Sequence, residues 1–501
     1  MAGSSPRRIR RLLLLASAAA LVAGACGPKR EALDAFRTQR SGSAATGLAA
    51  GPQGGTPDTQ PPGSTGGPAP AAAAANPAPG AGGGAGAGTA AASGAPAPAS
   101  ATSPTRTATG SGQSATAAAP AATSAPTVGV SDTEIRIGVH APQTISGVNV
   151  EPIIKLGALT NAYWSWVNDH GGINGRKVSV VLEDDGYDPG TARQACGDIV
   201  AKKVFFVSGT GGADQIVTCA QYVTGQSLPY MSLGVSEAGL IGNPYYFAYT
   251  LTYDQQSALV AKYIAHKLGA ASGKKVALIR VNSANFDGPK SKFDTALKQF
   301  AGSGPVVDDA VDKNGNAQEL SAECLKMQQA GAQIVTVLAA PTVFSELANA
   351  CQSQAYKPQY VGWANTDGCP IDPKALGTPS LDGCISLSTF HQPDQVHTPI
   401  GDQCHQAWAK YAQSNSGDFP HLDEVYCGYF DVLRQAMTAP GRNLTTAAFT
   451  AALHQLAYDN GLFNPIAFSG GQVASHRVVV WKADANTNNQ IEIDGNWETD
   501  F

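Results

Sequence analysis

From Val128 onward the chain alternates short apolar runs with longer amphipathic stretches, and it does so twice. In the first series Glu134–His140, Lys177–Asp184, Val204–Val207 and Pro229–Leu233 read as strands. Leu156–Asp169, Thr191–Lys203 and Ala213–Thr224 lie between them and carry helical periodicity. After Tyr246–Thr250 the pattern restarts. Lys275–Arg280, Val306–Val311, Gln333–Ala339 and Gln359–Trp363 read as strands, interleaved with helices at Gln255–Leu268, Phe286–Phe300, Ala317–Ala330 and Val343–Gln354. Strands that alternate with helices need crossover connections, and these make parallel sheets. The expected fold is α/β, with two Rossmann-like doubly wound parallel-sheet lobes. A ligand of such a sheet lies beyond the C-terminal strand ends, so two facing lobes enclose a central cleft. The folded domain spans 128–501, with one lobe about 131–250 and 382–462 and the other about 251–381 and 463–501. The chain then crosses between lobes near 250, 382 and 462.

The stretch Tyr163–Asp185, YWSWVNDHGGINGRKVSVVLEDD, looks at first like a phosphate loop. A Walker loop follows a strand, precedes a helix and closes on Gly-Lys-Ser/Thr. Here the helix comes first, and Gly175 is followed by Arg176, Lys177 and Val178. No helix N-terminus points at the loop, and that is the element that cradles phosphate. The glycines therefore end a helix and turn the chain into a strand.

The segment before the domain has a different character. Arg7, Arg8, Arg10 and Arg11 precede an apolar run, Leu12–Val22, that is too short for a mature membrane span. Small residues follow, then Cys26, which is the pattern of a secretory signal peptide over 1–26. A Cys in that place resembles a bacterial lipobox, which implies lipidation at Cys26; ordinary cleavage is the alternative. From about Ser41 to Thr127 the chain is nearly all Ala, Gly, Pro, Ser and Thr. Such a composition cannot bury enough apolar surface to offset its ordering entropy. Residues 27–127 are expected to be a disordered tether, with an r.m.s. span of about 50 Å. The net charge of −5 over 501 residues, with no basic stripe, argues against a nucleic-acid partner.

Nine cysteines less Cys26 leave Cys196, Cys219, Cys324, Cys351, Cys369, Cys384, Cys404 and Cys427. An even number in an exported domain suggests disulfides, and eight allow 105 connectivities. The order of elements favours neighbours: Cys196–Cys219, Cys324–Cys351, Cys369–Cys384 and Cys404–Cys427. The competing reading is a metal site with His391, His397, His405 and His421, but the usual ligand spacings do not occur. No metal and no cofactor are expected.

The stretch VNDHGGINGRKVSVVLEDDGYDPGTA closely resembles the first-lobe signature of type I periplasmic binding proteins. It is most like the leucine/isoleucine/valine-binding family of ABC-transporter receptors. Asn168, Gly171, Gly172, Ile173, Gly175, Asp184, Asp185, Asp188 and Pro189 carry the match. Ser146-Gly147, LPYMSLGVSEAGL at 228–240 and KKVALIRVNSANFDG at 274–288 extend it across about 131–501. The resemblance implies the type I periplasmic binding protein fold. It also implies a lipid-anchored, extracytoplasmic, monomeric receptor that closes on a small polar solute and docks on an ABC permease. By the same resemblance the solute meets Ser146, Gly211, Gly212, Ala213, Val235 and Ser236 from one lobe, and Phe286 and Asp367 from the other. Phe286 stands where the family often has Tyr, and Ser236 where it usually has Thr. Asp367 is the acid nearest the position that pairs with an amino-acid ammonium, but it is a few residues off register. Each residue also has a plain structural reading: Ser236 as a helix cap, Gly211 and Gly212 as a turn, Phe286 as core.

An enzyme is the rival class. GVSEAG at 234–239 nearly matches a nucleophile elbow, but Ala238 stands where Gly is needed. SGKK at 272–275 sits where a helix stops. Glu183, Asp184 and Asp185 end a strand and read as a solvated or capping edge. A third class is a sensor that signals through a docked partner, because the chain ends at Phe501 with no membrane-spanning run behind the domain.

Overall fold

The computed structural model describes residues 127–150, 155–232, 239–363, 369, 381–392, 396–412, 422–469, 471–474, 477–484, 489–498 and 501. The expected leader with Cys26, and the low-complexity segment as far as 126, lie outside these residues. So do Val235, Ser236, Asp367 and His421. Among the described residues no helix is long and apolar enough to cross a membrane.

The first strand, β1 (Glu134–Ala141), is followed by a small hairpin of β2 (Thr144–Ile145) and β3 (Val148–Asn149). β1 then pairs in parallel with β4 (Lys177–Asp184) on one side and β5 (Val207–Gly209) on the other. β6 (Tyr230–Ser232) and β7 (Tyr246–Ala248) complete a sheet in the order β4-β1-β5-β6-β7. Helices α2 (Pro189–Ala201) and α3 (Ala213–Gly225) cover one face with Ile199, Ile216, Ala220 and Val223. The other face is closed by α1 (Leu156–Asp169) together with the later helices α8 (Pro399–Tyr411), α9 (Leu422–Thr438) and α10 (Thr446–Gln455). The apolar run places Val204–Phe206 in the third strand; Phe205 N–H and Phe206 C=O do bond to β1, and the regular ladder begins at Val207.

The second sheet repeats the winding. β8 (Val276–Val281), β9 (Val307–Val311), β10 (Ile334–Leu338), β11 (Gln359–Gly362) and β12 (Ile385–Ser388) run parallel. Helices α4 (Tyr253–His266), α5 (Asp287–Ala301), α6 (Ala317–Ala330) and α7 (Pro341–Ser353) pack around them in one core. The sheet order is β16-β15-β12-β11-β10-β8-β9, with β15 (Val478–Asp484) and β16 (Asn489–Glu498) added antiparallel at one edge. Each sheet thus places its second parallel strand outside its first, and the third to fifth on the other side. A short hairpin, β13 (Ala457–Tyr458) and β14 (Ile466–Ala467), lies between α10 and β15.

Two of the expected crossings move. The crossing placed near 382 falls after Ser388, because β12 pairs with β11 (Val361 opposite Ile385) and belongs to the second sheet. The crossing placed near 462 falls between Ala474 and Val478, because Leu462, Phe463, Ile466, Phe468 and Ala474 pack in the first lobe's core. Phe463 is the anchor there, edge-on to Tyr249 at 5.0 Å and tilted against Phe390 at 5.7 Å.

The eight cysteines pair as Cys196–Cys219, Cys324–Cys351, Cys369–Cys384 and Cys404–Cys427. Two of these bonds sit at matching places. Cys196–Cys219 ties α2 to α3, the helices after the second and third parallel strands of the first sheet. Cys324–Cys351 ties α6 to α7, the same two helices of the second sheet. Loops of this length give about 3–4 kcal/mol per bond on the chain-entropy account.

The glycine motif is a piece of carpentry. Gly172 N–H donates to Val167 C=O (2.9 Å) and ends α1. Asn174 and Gly175 both take positive φ (51° and 78°) and reverse the chain, while Ile173 and Arg176 exchange backbone hydrogen bonds. Asn168 then clamps the new strand: it donates to Val178 C=O (2.8 Å) and accepts from Val178 N–H (2.7 Å). Gly172 has no room for a side chain, since a Cβ would lie 2.0 Å from the Arg176 carbonyl oxygen, whereas Gly171 faces open space. Gly172→Ala is expected to lower the unfolding free energy by about 3 kcal/mol in urea melts, combining clash and strained φ. Gly171→Ala should cost about 1 kcal/mol, for its φ alone. Equal losses would contradict this reading.

Candidate functional site

In a sheet of this order the gap between the first and third strands opens at their C-terminal ends, and loops splay apart there. In the first lobe that gap lies between β1 and β5. The loop leaving β5, Thr210-Gly211-Gly212, runs directly into α3. It is built for close approach. Gly209 packs so tightly that a Cβ would meet the Tyr230 hydroxyl at 1.8 Å. Gly211 has φ +106°, and a Cβ there would strike Pro142 at 2.9 Å. Gly212 caps α3 with extended backbone and no side-chain cap hydrogen bond. A Cβ on it would meet Gln215 Oε1 at 2.4 Å and the Tyr187 ring at 2.9 Å. The first turn of α3 therefore has no side-chain cap on its N–H groups, and it carries one acidic side chain, Asp214. Around it Thr210 Oγ1, Gln215 Nε2 and Ser232 Oγ are buried without a hydrogen-bond partner among the described residues. A buried hydroxyl or amide left unpaired costs about 1–3 kcal/mol, which a ligand supplying the partner would recover.

Below this loop lies a buried network. His140, at the end of β1, hydrogen-bonds through Nδ1 to Asp185 (2.8 Å) and through Nε2 to the Tyr230 hydroxyl (2.7 Å). Burial pushes the Tyr230 hydroxyl well above its ordinary pKa, so it keeps its proton. All three side chains are fully buried. Asp185 also accepts from Tyr187 N–H (3.0 Å), which holds Tyr187 at φ +54°. The sulfurs of Cys196 and Cys219 lie near His140, within 4.8 Å, but they are bonded to each other. That leaves no thiolate to bind a metal there.

The three carboxylates at the end of β4 have separate roles. Glu183 forms an ion pair with Lys202. Asp184 ties down the loop after β1, accepting from Gln143 N–H (2.8 Å), Thr144 N–H (3.1 Å), Thr144 Oγ1 (2.7 Å) and Gly186 N–H (2.9 Å). Burial raises its pKa, but these hydrogen bonds outweigh it and hold the group below the ordinary carboxylate value. Asp185 does not fit the solvated or capping edge expected of this trio, because it is buried against His140.

Of the candidate residues that are described, Gly211 and Gly212 pack against first-lobe residues, Gly211 against Pro142 and Gly212 against Gln215 and Tyr187, and Ala213 reaches the second lobe. Ala213 packs within the second lobe's core cluster. Phe286 follows β8 and is buried, its ring 5.2 Å from Tyr253. Between them Asp214, in the first turn of α3, accepts hydrogen bonds from Ser283 Oγ and Asn285 Nδ2, both at 2.5 Å. Ser146 stands apart: it is exposed at the tip of the β2–β3 hairpin, with φ +51°.

The pH response of Asp184 gives a test. Its folded pKa is depressed, so its stabilisation is present above the unfolded value of about 3.9 and is lost as pH falls through the folded value. Asp184→Asn should lower the unfolding free energy by about 1 kcal/mol at pH 7, because the group is partly solvated. The gap between the two proteins should narrow in melts as pH falls below the unfolded value and through the lower folded one. A gap that stays constant with pH would contradict the assignment.

The comparisons with known proteins agree with this architecture. A family model described as periplasmic binding protein matches residues 134–488. No curated protein matches the chain. Among solved structures, the chain is similar to a fatty acid ABC transporter substrate-binding protein from Thermomonospora curvata, with 19% identity and a TM-score of 0.61, over 74% of this chain and 93% of that one. A branched chain amino acid ABC transporter from Thermus thermophilus with bound valine gives 15% identity and a TM-score of 0.63, over 74% and 97%. A solute binding protein of an ABC transporter from Rhodopseudomonas palustris BisB5, in complex with 3,4-dihydroxybenzoic acid, gives 16% and 0.60, over 73% and 97%. At these identities the solved structures establish the shared fold.

Proposed function

The chain belongs to the periplasmic binding protein family, and from that premise we propose that it captures a small carboxylate-bearing solute outside the cytoplasm and delivers it to an ABC permease. The observation that carries this reading is the first turn of α3. It has no side-chain cap, it sits beside buried polar atoms of Thr210, Gln215 and Ser232 that have no hydrogen-bond partner among the described residues, and it contacts the loop that carries Phe286 through Asp214. Helix N-termini with adjacent donors suit a carboxylate. The ligands named for the three similar structures, a fatty acid, valine and a dihydroxybenzoic acid, share that group.

In this reading Gly211, Gly212 and Ala213 present backbone N–H groups, Val235 and Ser236 complete the first-lobe contact, and Phe286 packs on the body of the solute. Asp367 pairs with an ammonium if the solute is an amino acid, because a buried ammonium without a partner is costly. The solute arrives between open lobes and stabilises the closed form through its greater affinity for it. No step of bond making is involved. Cys26 serves as the lipid anchor, and the receptor acts as a monomer.

A thermal-shift screen tests the proposal. The purified protein is heated with amino acids, amides, aromatic acids, fatty acids and neutral polyols. A native-state ligand at 100 times its Kd adds about 2.7 kcal/mol of stability, enough for a visible rise in midpoint. The expected hits are carboxylates. Gly212→Ala, which intrudes on the loop, should abolish them, and Asp367→Asn should abolish amino-acid hits alone. Hits confined to neutral polyols, or no hit in any class, would count against the reading.

A further inference from the structure

Two polar contacts join the lobes at matching ends of the two sheets. One is Asp214, at the start of α3 in the first lobe, accepting from Ser283 and Asn285 in the loop after β8 of the second. The other lies between the loops after β4 and β9. Lys313 Nζ donates to Tyr187 C=O at 2.7 Å and sits 5.3 Å from the centre of the Tyr187 ring. Lys313 also faces Asp188, and its charge helps to lower that carboxyl's pKa, behind the larger effect of the Thr191 N–H.

Both contacts are direct, between side chains and backbone of the two lobes, and each is set up by its own lobe. Asp214 needs only the turn of α3. Tyr187 is held at φ +54° by the Asp185 carboxylate, which is itself fixed by buried His140. A non-glycine residue in that region costs of order 1 kcal/mol and persists only where its surroundings enforce it. Here the enforced turn aims a carbonyl across the cleft at Lys313. Hydrogen bonds to ionised groups are the stronger class, and both contacts include one.

We propose that these two contacts are a preformed clasp, which holds the lobes closed in the absence of solute and sets solute affinity by fixing the fraction of open protein. Asp214 and Lys313 are then positioning residues that act through closure. The inference rests on the two-lobe solute-capture reading, but its test needs no solute. A protein with a populated closed state must open before it can load, so a stronger clasp slows loading and a weaker one speeds release.

The test is single-molecule energy transfer on the full chain without any added ligand. Dyes are placed by unnatural amino acids at Asp198 in α2 and Leu325 in α6, both exposed and in different lobes. The wild type should give mainly one high-transfer population. Asp214→Ala combined with Lys313→Met should move the open-to-closed ratio by tenfold or more toward open. Lys313→Arg, which keeps a donor, should restore closure relative to Lys313→Met in the Asp214 background. Thermal melts of each variant check folding. The proposal is overturned if the wild type is mainly open, or if the double variant, shown to be folded, is as closed as the wild type. If the clasp behaves as stated and no solute class alters it, the clasp stands and the solute-capture reading fails.

Discussion

Everything at the cleft depends on how closely β5 can approach its neighbours. Gly209 ends that strand under the His140–Tyr230 hydrogen bond, with no space for a single methyl group. Because the strand ends there, the next three residues leave the sheet at once and become the cap of α3. The buried trio of Asp185, His140 and Tyr230 joins β1, β4 and β6 across the strand ends. Buried polar groups in low dielectric are costly unless each is satisfied, and a satisfied network is rigid for the same reason. That network backs a loop of glycines that would otherwise be free to take many conformations.

The two lobes obey the same rule of construction. Each sheet winds its parallel strands in one order, each turns its loops toward the other at the C-terminal ends, and each carries a disulfide between the helices after its second and third strands. The lobes differ at one edge, where β15 and β16 extend the second sheet antiparallel. This addition uses the last segment of the chain. It also explains why three passes between the lobes are needed: the helices of 399–455 go back to cover the first sheet, and the final strands return to the second.

Local pattern and chemistry are legible in the amino-acid sequence. Alternation along 134–363 predicts the strands of the first sheet and β8 to β11 of the second, because each strand is apolar over its own few residues and each helix carries its own stripe; β12, β15 and β16 lie beyond that stretch. The turn at Gly171–Gly175 is legible for the same reason: its backbone hydrogen bonds and the Asn168 clamp lie within about a dozen residues, although Asn174 also bonds to Thr438, Gly441 and Arg442. What is not legible is long-range. His140 meets partners 45 and 90 residues away, and nothing in the sequence around it signals a buried network. The end of β12 cannot be placed from its own four residues, since membership of a sheet is decided by the neighbouring strand. Asp214 reads locally as an ordinary acidic residue in a first turn, because its partners belong to the other lobe. Ser146 is placed by the sequence only as far as the loop after β1; its position at the tip of an exposed hairpin is set by the β2–β3 pairing.

If the cleft works as a receptor site, a small carboxylate is held between the loop after β5 and the second lobe. A crystal structure of the protein with its best-binding solute would show this directly. Density for the carboxylate is expected within hydrogen-bond distance of the backbone N–H groups of Gly212 to Asp214, with Thr210 or Gln215 supplying a further contact. Density for the solute on an outer face of either lobe, with the first turn of α3 left bare, would contradict it.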